Sequence, residues 1–129
     1  MQFSRGDVIV FNSPVEEDKD FIKRVIGLPG DEVSVKDGRL YINGALLDES
    51  EYLSSDVLTS PGNFLQEGET ARVPDNSYFV SGDNRPASAD SREWGFVPQD
   101  QIIGRSLVVY WPFSDFWIVE HAEYPRNNF

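Results

Sequence analysis

Three lysines, one histidine and no cysteine bound the chemistry open to this 129-residue chain. Without a thiol, neither disulfides nor thiolate catalysis are available. With His121 as the one imidazole, a multi-histidine metal site is ruled out, and any serine–histidine triad must run through that residue. Lys19 sits in the charged stretch from Glu16 to Asp20 and Lys36 beside a turn, where solvation is the ordinary fate of an ammonium group. Lys23 differs. In the run from Phe21 to Ile26, alternation puts Phe21, Lys23 and Val25 on one face and Ile22, Arg24 and Ile26 on the other. A free lysine, with a pKa of about 10.4, is no base at neutral pH. Burial among apolar groups disfavours the ammonium form and lowers that value by up to several units. A desolvated amine can then deprotonate a serine hydroxyl, the serine–lysine form of nucleophilic catalysis. The pattern alone favours the commoner fate of a strand lysine, whose ammonium reaches water at the strand edge.

The second chemically dense stretch is Gly82 to Pro98, which holds Asp83, Asn84, Arg85, Ser88, Asp90, Arg92 and Glu93. By composition it is a polar surface loop. Such a loop acquires a fixed shape only if its charges pair, because unpaired charges resist burial. Short spacing pairs Asp83 with Arg85 and Asp90 with Arg92 through fork geometry.

The elements that must position these groups read as strands. Asp7 to Phe11 is a compact apolar run, and Phe21 to Ile26 follows after the Asn12-Ser13-Pro14 break. Pro29-Gly30 suits a type II turn. Glu32 to Lys36 and Arg39 to Asn43 form a hairpin through Asp37-Gly38, a type I′ signal, and Asn43-Gly44 turns the chain again. From residue 48 to about 76 the chain makes a long, acidic, ordered excursion expected to be β-rich, with Glu69 to Val73 as a short strand. Tyr78 to Val80 leads into the loop. Ile102 to Trp111 is a long strand with Gly104 as a bulge site, and Phe116 to Glu120 is the last strand, before a loose tail. The fold class is all-β, in one domain spanning residues 1–129.

A net charge of −11, from 22 acidic and 11 basic side chains, argues against nucleic acid as a partner and for solubility. No stretch approaches the roughly 20 apolar residues of a membrane span. The start, Met-Gln-Phe-Ser-Arg-Gly-Asp, is neither a signal peptide nor an anchor; it enters almost at once into a strand, as if in mid-domain.

Three blocks carry a family resemblance: Arg5-Gly-Asp-Val-Ile-Val-Phe11, then Phe21-Ile-Lys-Arg-Val-Ile-Gly-Leu-Pro-Gly-Asp31, then Gly-Asp-Asn-Arg with Ser-x-Asp-Ser-Arg and Trp-Gly-Phe-Val-Pro over residues 82 to 98. In this order, with the hairpin turns between them, they resemble the type I signal peptidases over residues 5 to 113. The resemblance implies coiled antiparallel sheets, shared with self-cleaving repressors of the same clan. It implies a membrane-anchored serine endopeptidase that removes signal peptides from exported preproteins after Ala-x-Ala sites, its catalytic domain on the extracytoplasmic side and touching the membrane surface. Neither a metal nor an organic cofactor is implied. Residue by residue, Lys23 becomes the general base, Ser88 orients its amine, and Asp83, Asn84, Arg85, Asp90 and Arg92 brace the site. Trp111, Phe113, Phe116 and Trp117 are candidates for a membrane-touching patch, with core packing as their other role.

Two departures stand out. Pro86-Ala87 replaces the Asp-Asn that family members commonly carry before the serine. The family's nucleophilic serine lies in a Ser-Met-x-Pro motif after a membrane anchor, whereas the one methionine here is Met1, and neither Ser4 nor Ser13 has the motif's neighbours. The nucleophile is therefore expected outside these residues, and the chain by itself is expected not to process signal peptides. The alternative from another class is a catalytically dead domain of the same fold that binds peptides or a partner.

Overall fold

The structure, a computed structural model, describes residues 2–16 and 18–106 and the backbone of 108–110 and 116–118. Short runs rich in Val, Ile and Phe, punctuated by Gly, Pro and Asx-Gly pairs, favour strands over helices. The described elements follow that composition. They are β1 (Val8–Asn12), β2 (Asp20–Gly27), β3 (Glu32–Lys36), β4 (Arg39–Ile42), β5 (Ala45–Leu46), β6 (Thr70–Arg72), β7 (Ser77–Ser81), a one-turn helix α1 (Ser91–Trp94), β8 (Val97–Pro98), β9 (Ile102–Ser106), β10 (Val108–Tyr110) and β11 (Phe116–Ile118). Among the described residues no helix is long and apolar enough to cross a membrane.

Two main sheets hold these strands, one ordered β8-β7-β2-β1-β9 and the other β5-β4-β3-β6, with β10 and β11 as a separate pair. The pairings are antiparallel, so the chain is mostly β-sheet, as the sequence predicts. Both Asx-Gly turns are left-handed at their two central residues: φ is 51° at Asp37 and 77° at Gly38, then 52° at Asn43 and 83° at Gly44. That is the twist a two-residue hairpin demands. The strand read from Ile102 to Trp111 meets β9 and β10, and Val10 pairs with Gly104 while Phe11 pairs with Ile102, so β9 carries an extra residue at Ile103. Trp111, Phe113, His121 and the tail, together with the side chains of Phe116 and Trp117, lie outside the described residues.

Alternation along β2 and β7 divides the core. Val25 and Val80 join Phe3, Ile9, Phe11, Tyr78 and Val97 on one side, whereas Ile26 and Phe79 join Val33, Val35, Leu40, Ile42, Leu65 and Val73 on the other. β2 is therefore apolar on both faces, and each inward cation on it needs a partner or must lose its charge.

The excursion after β5 differs from the expected β-rich segment. Its one strand is β6, and residues 47–69 run in turns and bends. Ser, Asp, Gly and Pro interrupt its apolar residues too often for a ladder. Side chains hold it in place instead. Arg39 donates to the carbonyls of Val57 (2.9 Å) and Ser55 (2.7 Å), Leu65 enters the core, and Phe64 meets Phe96 edge to face at 5.2 Å.

Candidate active site

Lys23 lies in the middle of β2, 5% exposed, its Nζ 5.5 Å from the Phe21 ring centroid and 3.2 Å from Ser88 Oγ. The face predicted by alternation is the face observed, and the amine does not reach water at the strand edge. Burial is the main cause that holds its pKa below the ordinary lysine value. The Asp90 carboxylate opposes that shift, Arg92 adds to it, and Asp83 opposes it.

Ser88 is set by the backbone. Arg85–Ala87 form a single 3₁₀ turn, and Ser88 ends it in an extended conformation. Its hydroxyl oxygen accepts from the Gly82 N–H (3.2 Å) as well as from the lysine. The loop thus closes on itself at the residue that touches the amine.

Asp90, fully buried, caps α1 by accepting from the Arg92 N–H at 3.1 Å. It also accepts from Arg92 Nε and Nη2 (both 2.8 Å), Ser81 Oγ (2.9 Å) and Gly82 N–H (3.1 Å). Burial alone raises its pKa, but the Arg92 bonds and charge, with the Ser81 bond, outweigh it and hold the carboxyl below its usual range. The predicted Asp90–Arg92 pair is present. Arg92 also donates to the carbonyls of Ser60 (2.9 Å) and Arg85 (3.1 Å), binding helix, loop and excursion together.

The predicted Asp83–Arg85 pair is replaced by two others. Arg24 grips Asp83 with Nε and Nη2 at 2.9 and 2.7 Å. In register, Arg24 faces Ser81, and Asp83 lies two residues further on the same side, so the strand pairing delivers the partner. Arg85 turns the other way. It donates from Nε to the Gly82 carbonyl (2.7 Å), from Nη1 to Thr59 Oγ1 (2.9 Å), and through both terminal nitrogens to Glu49 at 2.9 and 2.6 Å. Asn84 takes no part in this bracing by its side chain; it is exposed, and its backbone carbonyl accepts from the Ala87 N–H.

Sequence reasoning therefore missed Arg24, Glu49, Tyr52 and Thr59. Arg24 carried a signal, a cation set into an otherwise apolar strand face. Glu49 and Thr59 carried none, being 36 and 26 residues from Arg85 in an acidic stretch. Tyr52 donates to Glu49 (3.0 Å) and lies 4.1 Å beneath the Arg24 guanidinium. Burial first, then the Glu49 charge, pushes its hydroxyl well above the usual tyrosine range.

The chain is similar to known proteins. The family model of the signal peptidases, peptidase S26, matches residues 1–111. A probable signal peptidase I-2 of Synechocystis is 45% identical over 114 residues, covering 84% of this chain. A signal peptidase IB of Staphylococcus aureus is 36% identical over 135 residues, covering 96% of this chain. The chain spans 48% of the length of the first and 68% of the second. The crystal structure of a signal peptidase I from Enterococcus faecalis is similar at a TM-score of 0.65 and 37% identity, over 81% of this chain and 97% of that one. With a matching family model over residues 1–111, relatives at this identity and a solved structure of the same architecture, the chain belongs to the signal peptidase, peptidase S26 family.

Proposed function

We propose that this chain is the greater part of the catalytic domain of a signal peptidase I, a serine endopeptidase that removes signal peptides from exported preproteins after Ala-x-Ala-like sites. The observation that carries this reading is the buried Lys23 amine, 3.2 Å from Ser88 Oγ, within a match to that family. Lys23 is the general base. Its neutral amine takes the proton of the nucleophilic serine as Oγ bonds to the scissile carbonyl carbon, and the resulting ammonium gives that proton to the leaving amine. The acyl-enzyme ester is then cleaved by a water that Lys23 deprotonates, and the proton returns to the serine. Ser88, held by Gly82, keeps the amine aimed.

The serine comes from a Ser-Met-x-Pro segment outside residues 1–129, and a membrane anchor in the full-length protein keeps the domain at the extracytoplasmic membrane surface. The strand register supports an extended peptide as substrate. β7 pairs with β2 only from Arg24 to Gly27, so Phe21–Lys23 has β1 on one edge and no described strand on the other. A peptide added there as a strand brings its carbonyls past Lys23.

The test is cleavage of a preprotein bearing an Ala-x-Ala site by the chain extended upstream through the Ser-Met-x-Pro serine. Cleavage is expected, and Lys23→Ala is expected to lower its rate by about a thousandfold, the loss typical of a general base. The 129-residue chain alone is expected to leave the substrate intact. Cleavage that survives Lys23→Ala would sink the assignment. Binding without cleavage by the extended chain would favour a catalytically silent peptide-binding domain.

A further inference from the structure

We propose that Glu49 is a positioning residue of this site: by gripping Arg85 from the excursion, it holds the Gly82–Ser88 turn so that the Ser88 hydroxyl stays against the Lys23 amine. The proposal builds on the reading of Lys23 as the base, but it rests on its own chain of contacts.

The Arg85 side chain is fully buried and that of Glu49 11% exposed, and the two form a fork at 2.6 and 2.9 Å. Thr59 takes a further guanidinium N–H at 2.9 Å. The remaining donor of Arg85, Nε, binds the Gly82 carbonyl at 2.7 Å. Gly82 in turn gives its N–H to Ser88 Oγ and to Asp90. Glu49 is thus three contacts from the Ser88 hydroxyl, through Arg85 and Gly82. A second line leaves the same carboxylate: Tyr52 donates to it and stacks under Arg24, which grips Asp83 beside Gly82. The Gly82 carbonyl and the next residue, Asp83, are therefore both tied to one acidic side chain on the excursion. A carboxylate is required there because a bidentate fork fixes the plane of the guanidinium, whereas a single acceptor leaves it free to swing.

A structural role alone would lower stability and leave the site's geometry unchanged. The two are separated by following the Lys23 side chain by NMR titration in the 129-residue chain, with Lys23→Met identifying its resonance. The charged groups facing Lys23 are Asp90, Arg92 and Asp83. Loss of the Glu49 charge by itself would lower the Lys23 midpoint, since a neighbouring anion favours the ammonium. A loosened turn admits water and raises it. Glu49→Gln is expected to raise the midpoint by about one unit, and Glu49→Asp, one methylene short, by less. An unchanged or lowered midpoint in folded Glu49→Gln would overturn the proposal.

Amide exchange supplies a readout independent of the lysine. In Glu49→Gln the Gly82 N–H is expected to exchange about tenfold faster while the Val33 and Val35 amides keep their rates; equal acceleration of all three would mean general destabilisation and count against positioning. If wild-type Lys23 titrates at the ordinary lysine value, the general-base reading fails, and the Gly82 amide still decides the role of Glu49.

Chemical rescue gives a third arm. Glu49 and Thr59 line a cavity of about 270 Å³ with Leu46, Leu47, Leu53 and Val57. Glu49→Ala leaves space that acetate can reach from this cavity. Acetate is expected to slow Gly82 exchange again in Glu49→Ala and to leave wild type unaffected. Should Glu49→Gln and Glu49→Ala fail to fold, Glu49→Asp keeps the charge and, one methylene short, pulls the fork off Arg85. It is expected to speed Gly82 exchange two- to threefold, and no change would overturn the proposal.

Discussion

At the scale of single residues, burying the Lys23 amine costs stability. A folded state that depresses the Lys23 pKa binds fewer protons than the unfolded chain between the depressed value and the ordinary one near 10.5. Stability from this group therefore rises with pH across that window, and the cost is fully present below it. Lys23→Met keeps most of the length of the side chain and removes the charge. It is expected to stabilise the domain at pH 7, each unit of depression being worth about 1.4 kcal/mol. Its advantage should shrink as pH rises toward 10, as read from urea unfolding at both pH values. The anions nearby do not lose their partners in this variant, because Asp90 and Asp83 each have an arginine. The position of Lys23 on the apolar face was legible from strand alternation, and its contact with Ser88 from the family blocks. The partner of Asp83 was not. Spacing along the chain places Arg85 near it, but a 3₁₀ turn sends that side chain the other way, and a residue of β2 supplies the guanidinium.

At the scale of elements, turns were more legible than strands' partners. Asp37-Gly38 and Asn43-Gly44 declare their conformation because few residues accept positive φ at both central positions. The excursion was legible as ordered, since Leu65 and its other apolar residues need cover, but its path was not, because side-chain contacts and not a ladder hold it. One contact in it admits a sharp test. At Gly62 the chain passes so close to α1 that a Cβ would stand 2.4 Å from the Arg92 carbonyl oxygen. The two nearest atoms belong to the Arg92 backbone, which cannot swing aside as the third neighbour, the Glu93 carboxylate at 2.9 Å, could. Gly62→Ala is expected to push the excursion off the helix, lower stability by about 2 kcal/mol as overpacking does, and weaken the Arg92 bond to the Ser60 carbonyl. Thermal unfolding and exchange of the Phe64 and Leu65 amides, both bonded to the Arg92 carbonyl, would report it. Unaltered exchange there would show that the approach is looser than the geometry states.

At the scale of the molecule, a net charge of −11 opposes compaction, while the ion pairs that shape the site are shielded from solvent. Salt screens the first far more than the second. Going from about 0.1 M to about 1 M sodium chloride shortens the Debye length from about 10 Å to about 3 Å. The unfolding temperature is expected to rise by about 2–4 °C, and a fall would mean that exposed pairs such as Arg5–Asp31 matter more than overall repulsion.

The sequence separation of the two site residues has a consequence for the order of events in the cell. Lys23 leaves the ribosome 65 residues before Ser88, and Asp90 and Arg92 follow later still. At synthesis speeds of about 5–20 residues per second, that delay lasts several seconds. Throughout it Lys23 is an ordinary solvated ammonium. A nascent chain of this protein therefore carries no desolvated amine until its last arginine brace has emerged, so that amine appears only with the fold that confines it.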